Sequence, residues 1–130
     1  MTALDTRARE LAQAPNFATL SVILRSGRPM THVMWVDADE NHVLINTEVH
    51  RAKFRAVERD PRVTVTIWQR DDPYTYAEVR GQVLETVRGP EARAHIDSLS
   101  RKYRGKDYDD AAITSERVIL RIAPQTVRFH

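Results

Sequence analysis

The sequence predicts a mainly β protein: a small barrel of six to seven antiparallel strands with short helices at its side or ends. Three observations carry this. Most apolar residues alternate with polar ones at the two-residue period of a half-buried strand, the connections are short and turn-like, and only two stretches shift to a helical period.

"FATLSVILRS" (17–26) is apolar with small hydroxyls interleaved, and Ser26-Gly27 followed by Pro29 turns it into "MTHVMWVDA" (30–38), which predicts a hairpin. Asp39-Glu40-Asn41 is a polar turn into "HVLINT" (42–47). The period then changes. "RAKFRAVER" (51–59) spaces Ala52 and Ala56, and Phe54 and Val57, as a short helix does, and Pro61 ends it. "RVTVTIWQ" (62–69) and "YAEVRGQVLETV" (76–87) alternate again as strands. Gly89-Pro90 opens a second helix to about Tyr103, with Ala92, Ile96, Leu99 and Tyr103 on one face. "RVILRI" (117–122) and "TVRFH" (126–130) read as two last strands separated at Pro124.

At 130 residues the chain fits a single domain, 1–130, with 42% hydrophobic and 29% charged residues, as in soluble globular proteins. No apolar run approaches the roughly 20 residues that cross a bilayer, and "MTALDTRARELAQ" places acidic residues where a secretory signal has its apolar core. A cytoplasmic protein with no membrane partner is expected. With no cysteine, disulfides, thiol catalysis and cysteine-based metal sites are excluded. The histidines lack metal-ligand spacing, and no metal is expected. A net charge of +2 and 7% aromatic residues argue against a nucleic-acid partner, which needs stacking platforms among uninterrupted basic residues.

Catalytic signatures are missing too. Glycine occurs only at 27, 81, 89 and 105, so no glycine-rich phosphate loop is possible, and no serine lies in a nucleophile elbow. An enzyme of this kind takes its chemistry from an organic cofactor and supplies positioning. The segment "HRAKFRAVERDPRV" (50–63) offers a place for one. Arg51 and Lys53 stand at the start of the helix, where free N–H groups favour an anion. On composition alone the cluster reads first as a solvated helix face paired with Glu48, Glu58 and Asp60, with Lys53 an exposed charge of little consequence for stability.

The pieces "ATLSVILRSGRPMTHVMWVDAD", "VLINTEVHRAKFRAVERDPRVTVTI", "PYTYAEVRGQV", "HIDSLSRKYRGKDY" and "RVILRIAP", in this order, resemble the pyridoxamine 5′-phosphate oxidase-like flavin and deazaflavin oxidoreductases. Within that family they resemble the branch dependent on coenzyme F420. The resemblance spans Phe17 to Val127 and implies a split β-barrel. One departure is Ala56, where that branch commonly carries asparagine.

The resemblance further implies that Thr47, Arg51 and Lys53 hold the cofactor phosphate and that Thr31, His32, Val33 and Met34 line the tricyclic ring. It implies an oxidoreductase that moves a hydride between reduced F420 and a small electron-poor acceptor. The alternatives are FMN in place of F420, or a module that binds flavin, F420 or haem without turnover. F420 carries a phosphodiester, a lactyl group and glutamates, so its site calls for a longer basic groove, for which Arg55, Arg59 and Arg62 are candidates. No catalytic residue is assigned. By themselves His32 reads as a barrel histidine, Trp35 and Trp68 as core or interface aromatics, and Tyr103 as packing. Arg104, Lys106 and Tyr108 lie in a polar loop suited to covering a nearby site. The resemblance implies a groove between two subunits, and Trp35, Trp68 and Phe129 leave both sheet faces partly apolar, so a homodimer is expected. Acceptor specificity is expected from loops near 70–75 and 104–112.

Overall fold

A computed structural model describes residues 3–130. A single seven-stranded antiparallel sheet runs in the order β2-β1-β5-β6-β7-β4-β3. Its strands are β1 (Phe17–Ile23), β2 (Pro29–Trp35), β3 (Asp37–Ala38), β4 (Val43–Glu48), β5 (Arg62–Gln69), β6 (Asp72–Arg88) and β7 (Arg117–Phe129). Three helices accompany it: α1 (Thr6–Gln13), α2 (Ala52–Arg59) and α3 (Pro90–Arg104). The sheet curls until β2 approaches β4, yet β2 and β3, its two ends, are not hydrogen-bonded to each other. The barrel is therefore split, as the sequence resemblance implies.

The alternation seen in the sequence decides which side chains enter the core. Ala18, Leu20 and Val22 of β1, Val63, Val65 and Ile67 of β5, and Ala77 and Val79 of β6 point inward with Val43, Ile45, Leu120 and Ile122. The β1–β2 hairpin pairs Phe17 with Trp35 and Leu20 with His32. Gly27, at φ +87°, makes its turn, a left-handed conformation that favours glycine. α2 buries Lys53, Phe54, Ala56 and Val57, whereas Ala52 lies outside. On α3 the buried face is Ala92, Ile96, Leu99 and Ser100, with Pro90 in the first turn.

Four sequence expectations change. The run 30–38 is not one strand: it is parted at Val36 into β2, paired with β1, and β3, paired with β4 at the other end of the sheet. α1 was not anticipated, because its buried face is alanine, Ala8 and Ala12, and alanine at i and i+4 is a faint periodic signal. Its start is nonetheless written locally: Asp5 caps it, accepting from the Arg7 N–H at 2.8 Å. β6 begins four residues earlier than the alternation suggested, at Asp72. The two last strands are one continuous β7 that passes through Pro124. Proline has no ladder N–H to give, and here it sits opposite Gly81 where the β6–β7 register shifts, so none is required.

Gly81 makes that crossing possible. A Cβ at this position would lie 2.2 Å from the carbonyl oxygen of Ala123. The obstacle is the Ala123 backbone, which leaves little room to yield. Gly81→Ala should therefore destabilise the protein by about 1–3 kcal/mol, seen as a lower urea midpoint with an unchanged slope.

Candidate functional site

A groove of about 420 Å³ opens along the seam that the sheet leaves unclosed. One wall is β2, through His32, Val33, Met34 and Trp35; the other is the end of β4, Asn46 and Thr47, with Arg51, Lys53 and Arg117. α3 and the following loop add Ile96, Leu99, Arg104 and Tyr108, and Phe17 closes one end. Of the seven predicted residues, His32, Val33, Met34, Thr47, Arg51 and Lys53 come together here. Thr31 does not line the groove: its hydroxyl pairs with Ser21 Oγ at 2.7 Å on the exposed face of the hairpin. Thr31 shares its face of β2 with Val33 and Trp35 but stands nearer the hairpin turn, opposite Ser21, past the end of the groove.

The groove has a basic end. Thr47 and Glu48 finish β4, the Arg51 N–H donates to the Glu48 carbonyl at 3.0 Å, and α2 starts at the next residue with no side-chain cap. The buried Glu48 carboxylate organises this corner. Its Oε1 accepts from the N–H groups of Thr114 and Ser115 at 2.8 and 2.7 Å. Oε2 faces Arg117 at 3.3 Å and Arg51 at 3.7 Å. Burial pushes the Glu48 carboxyl up, but those hydrogen bonds and the charges of Arg117 and His50 outweigh it and hold it below its ordinary value.

Lys53 corrects the sequence reading. It is 5% exposed, not a solvated charge, and its ammonium makes no hydrogen bond among the described residues. Burial first, then the charges of Arg51 and Arg117, push it below the usual lysine value. No carboxylate lines the groove among the described residues, so Arg51, Lys53, Arg104 and Arg117 share it with no acid at its surface. Arg55, Arg59 and Arg62 lie elsewhere. Arg55 and Arg59 donate to the carbonyls of His50 and Ile23, and Arg62 grips Asp60.

The basic end adjoins an aromatic wall. Trp35 lies flat on Tyr103, ring centres 5.1 Å apart and planes within 6°, and Phe17 also stacks with Tyr103 at 5.6 Å. Tyr108 meets Trp35 edge-on at 6.2 Å, and Arg104 lies over Trp35 at 5.0 Å. Trp35 is thus part of a groove wall, beyond the core or interface role its sequence context suggested. His32 stands exposed at the rim instead of inside a barrel. Tyr103 does more than pack: its hydroxyl donates to the Asn16 carbonyl and accepts from the Val36 N–H at 3.2 Å. Sequence reasoning also missed Asn46 and Arg117. Their signal was a polar residue within an apolar strand, in "VLINT" and "RVILRI", out of phase with the core positions Val43, Ile45, Val118 and Leu120 yet buried, Asn46 against α3.

A family model described as pyridoxamine 5′-phosphate oxidase matches residues 4–130. The chain belongs to that family. Among solved structures similar to this member of the pyridoxamine 5′-phosphate oxidase family is one named F420 reductase. It is 26% identical with a TM-score of 0.83, over 96% of this chain and 98% of that one. A conserved hypothetical protein from Mycobacterium tuberculosis is 23% identical with a TM-score of 0.72, over 99% of this chain and 85% of that one. General Stress Protein 26 from Bacillus anthracis is 18% identical with a TM-score of 0.63, over 95% and 90%. The last two share the fold. No curated protein matches the chain. The family relation makes this a flavin- or deazaflavin-type oxidoreductase scaffold. Among the described residues no cluster of acids and histidines is placed to hold a metal, and no helix is long and apolar enough to cross a membrane.

Burial pushes the Tyr103 phenol up to about 12, with the charge of Asp37 adding and the Val36 hydrogen bond opposing. A raised phenol value means that the neutral form stabilises the fold fully below the ordinary value of 10.0 and that this is lost as pH rises toward about 12. Tyr103→Phe should melt lower at neutral pH by about 1–3 kcal/mol, because the Asn16 carbonyl and Val36 N–H lose their partner. Its melting temperature should also fall less than wild type between pH 10 and about 12. Parallel pH profiles of the two proteins in thermal melts would refute this.

Proposed function

We propose that the protein is an F420-dependent oxidoreductase that transfers a hydride between reduced deazaflavin and a small electron-poor organic acceptor. The observation that carries this reading is the pairing, in one groove, of a surplus of cations with an exposed strand surface. Lys53 is buried without a hydrogen-bonding partner beside Arg51 and Arg117, and such a corner is completed by an anion. A cofactor phosphate fits it. The likeness to a structure named F420 reductase over nearly the full length of both chains supports the deazaflavin over FMN.

In this reading Thr47, Arg51 and Lys53 hold the phosphate. His32, Val33 and Met34 present a largely apolar strand surface to the ring, and Trp35 and Tyr108 form the adjoining wall. Thr31, bonded to Ser21, ties the hairpin together beyond the end of the groove. The bound deazaflavin supplies a hydride at its ring carbon. The protein's contribution is alignment of the acceptor against that carbon and exclusion of water. Tyr103 is unsuited to protonating the product, since its hydroxyl is committed on both sides and its phenol is pushed up to about 12. His32, exposed at the groove rim with no side-chain hydrogen bond among the described residues, is the group placed to give the product a proton, whereas the Tyr108 side chain is engaged by Arg117.

We further propose that the working form is a single-domain cytoplasmic homodimer with the site at the subunit interface. Trp35, Trp68 and Phe129 are half-buried in the chain itself, so the support comes from elsewhere. β2 is the sheet's free edge beside the groove, and Val33 at its middle is 65% exposed. Light scattering at micromolar concentration should give twice the 15.0 kDa chain mass; a monomer mass would overturn the assembly.

The cofactor reading is tested by titrating purified protein with F420 and, separately, FMN, followed by their fluorescence. F420 should bind more tightly. Lys53→Met and Arg51→Ala should weaken it by about 1.5–3 kcal/mol, roughly tenfold to a hundredfold. Without ligand, Lys53→Met should melt no lower than wild type, since it removes a buried cation from among like charges. Unchanged binding in both variants would overturn the phosphate seat at Arg51 and Lys53. Tight binding without cofactor oxidation by any nitro, enone or quinone acceptor would point to a non-catalytic module.

A further inference from the structure

Four side chains from four elements form a hydrogen-bonded row beneath the groove. Arg117, the first residue of β7, is 7% exposed and donates from Nε to Asn46 Oδ1 on β4 at 2.9 Å. Asn46 Nδ2 donates to the Ala92 carbonyl of α3 at 3.0 Å and meets His95 Nδ1 at 3.1 Å. His95 Nε2 in turn meets Asp37 Oδ2 of β3 at 3.1 Å.

The donors and acceptors leave this row one consistent arrangement. Arg117 Nε can only donate and the Ala92 carbonyl can only accept, so the Asn46 amide is set with its oxygen toward the arginine. His95 Nδ1 must then accept from the amide, and the imidazole hydrogen sits on Nε2, given to Asp37. Each member holds the next. The terminal nitrogens of Arg117 are left to face Glu48 on one side and the groove on the other, beside Arg51 and Lys53 and over the ring of Tyr108 at 5.3 Å.

We propose that Arg117 is a third anion-binding arm of this site, and that Asn46 and His95, backed by Asp37, are positioning residues that aim its guanidinium into the groove. The inference rests on reading the basic end as a phosphate seat, and it deepens that reading. A planar guanidinium offers two parallel donors to a phosphate only if its plane is held, and a single buried bond to Nε is what holds it. Arg51, half exposed and set on a helix cap, has no comparable support.

The test uses inorganic phosphate, titrated into wild-type and variant proteins and followed by amide chemical shifts. Arg117→Ala should weaken binding roughly tenfold to a hundredfold. Arg117→Lys, which keeps the charge but not the fork, should still lose about threefold to tenfold, and it serves if the alanine variant fails to fold. Asn46→Ala and His95→Ala should each lose about threefold to tenfold while keeping the wild-type dependence on ionic strength, because no charge at the site has gone. Arg117→Ala should lose part of that dependence. His95→Gln, which can accept from Asn46 and donate to Asp37, should recover affinity to within about twofold of wild type. Wild-type protein indifferent to phosphate would overturn the inference, as would unchanged binding in folded Arg117→Ala or Arg117→Lys. A His95→Gln variant as weak as His95→Ala would overturn the positioning role. Because the probe is phosphate alone, Arg117-dependent binding by a protein that ignores F420 supports this inference and overturns only the deazaflavin reading.

Discussion

The basic end of the groove depends on one buried carboxylate. Glu48, 1% exposed, is tied by backbone N–H groups of the segment before β7 and faces Arg117 and Arg51 from the end of β4. Buried ions are tolerated only with partners, and removing one partner of such a pair is costly. Here a single buried acid faces two of the three cations that share the corner. It neutralises enough charge for Arg51, Lys53 and Arg117 to converge, but too little to satisfy them. The remainder appears as the lowered proton affinity of Lys53 and of Arg117, for both of which burial is the first cause. A corner built this way costs stability in the free protein and favours whatever anion enters it.

The same corner shows how a closed sheet would have removed the site. Because β2 and β3 stay unpaired, side chains of β2 face those of β4 across a gap instead of a hydrogen-bonded ladder. α3 bridges that gap from outside. Lys102 donates to the Val36 and Ala12 carbonyls at 2.5 and 3.1 Å, and Tyr103 bonds the Val36 N–H and the Asn16 carbonyl, so the backbone polar groups exposed by the split find partners. The aromatic stack of Trp35, Tyr103 and Phe17 follows from that bridging. The groove thereby gains a rigid wall adjoining a charged seat, the division that a flat ring bearing a phosphate requires.

Most of the fold was legible because each core strand keeps its alternation over five or more residues. What was not legible has specific causes. Alanine is too small to mark the buried face of α1, and Pro124 looks like a strand breaker unless the glycine opposite is known to sit across from it. Six of the seven proposed binding residues meet in the groove, and Thr31 falls beyond its end, toward the hairpin turn, where it pairs with Ser21. Asn46 and Arg117 escaped notice because a polar residue in an apolar strand signals a buried partner without saying which.

By itself the sequence determined the periodicity, the turns at Gly27 and Gly89-Pro90, the absence of any thiol, metal-ligand or phosphate-loop chemistry, and the clustering of Arg51 and Lys53 near a helix start. These are local properties, set by neighbours within a few positions. Only the tertiary structure decided which cations share a site. It separated Arg55, Arg59 and Arg62 from Arg51 and Lys53, and it brought in Arg117 from a strand more than sixty positions away along the chain. It also turned Lys53 from a surface charge into a buried one. The physical reason is that burial and charge pairing are set by long-range packing, and a row such as Asp37, His95, Asn46 and Arg117 exists only once four elements have met.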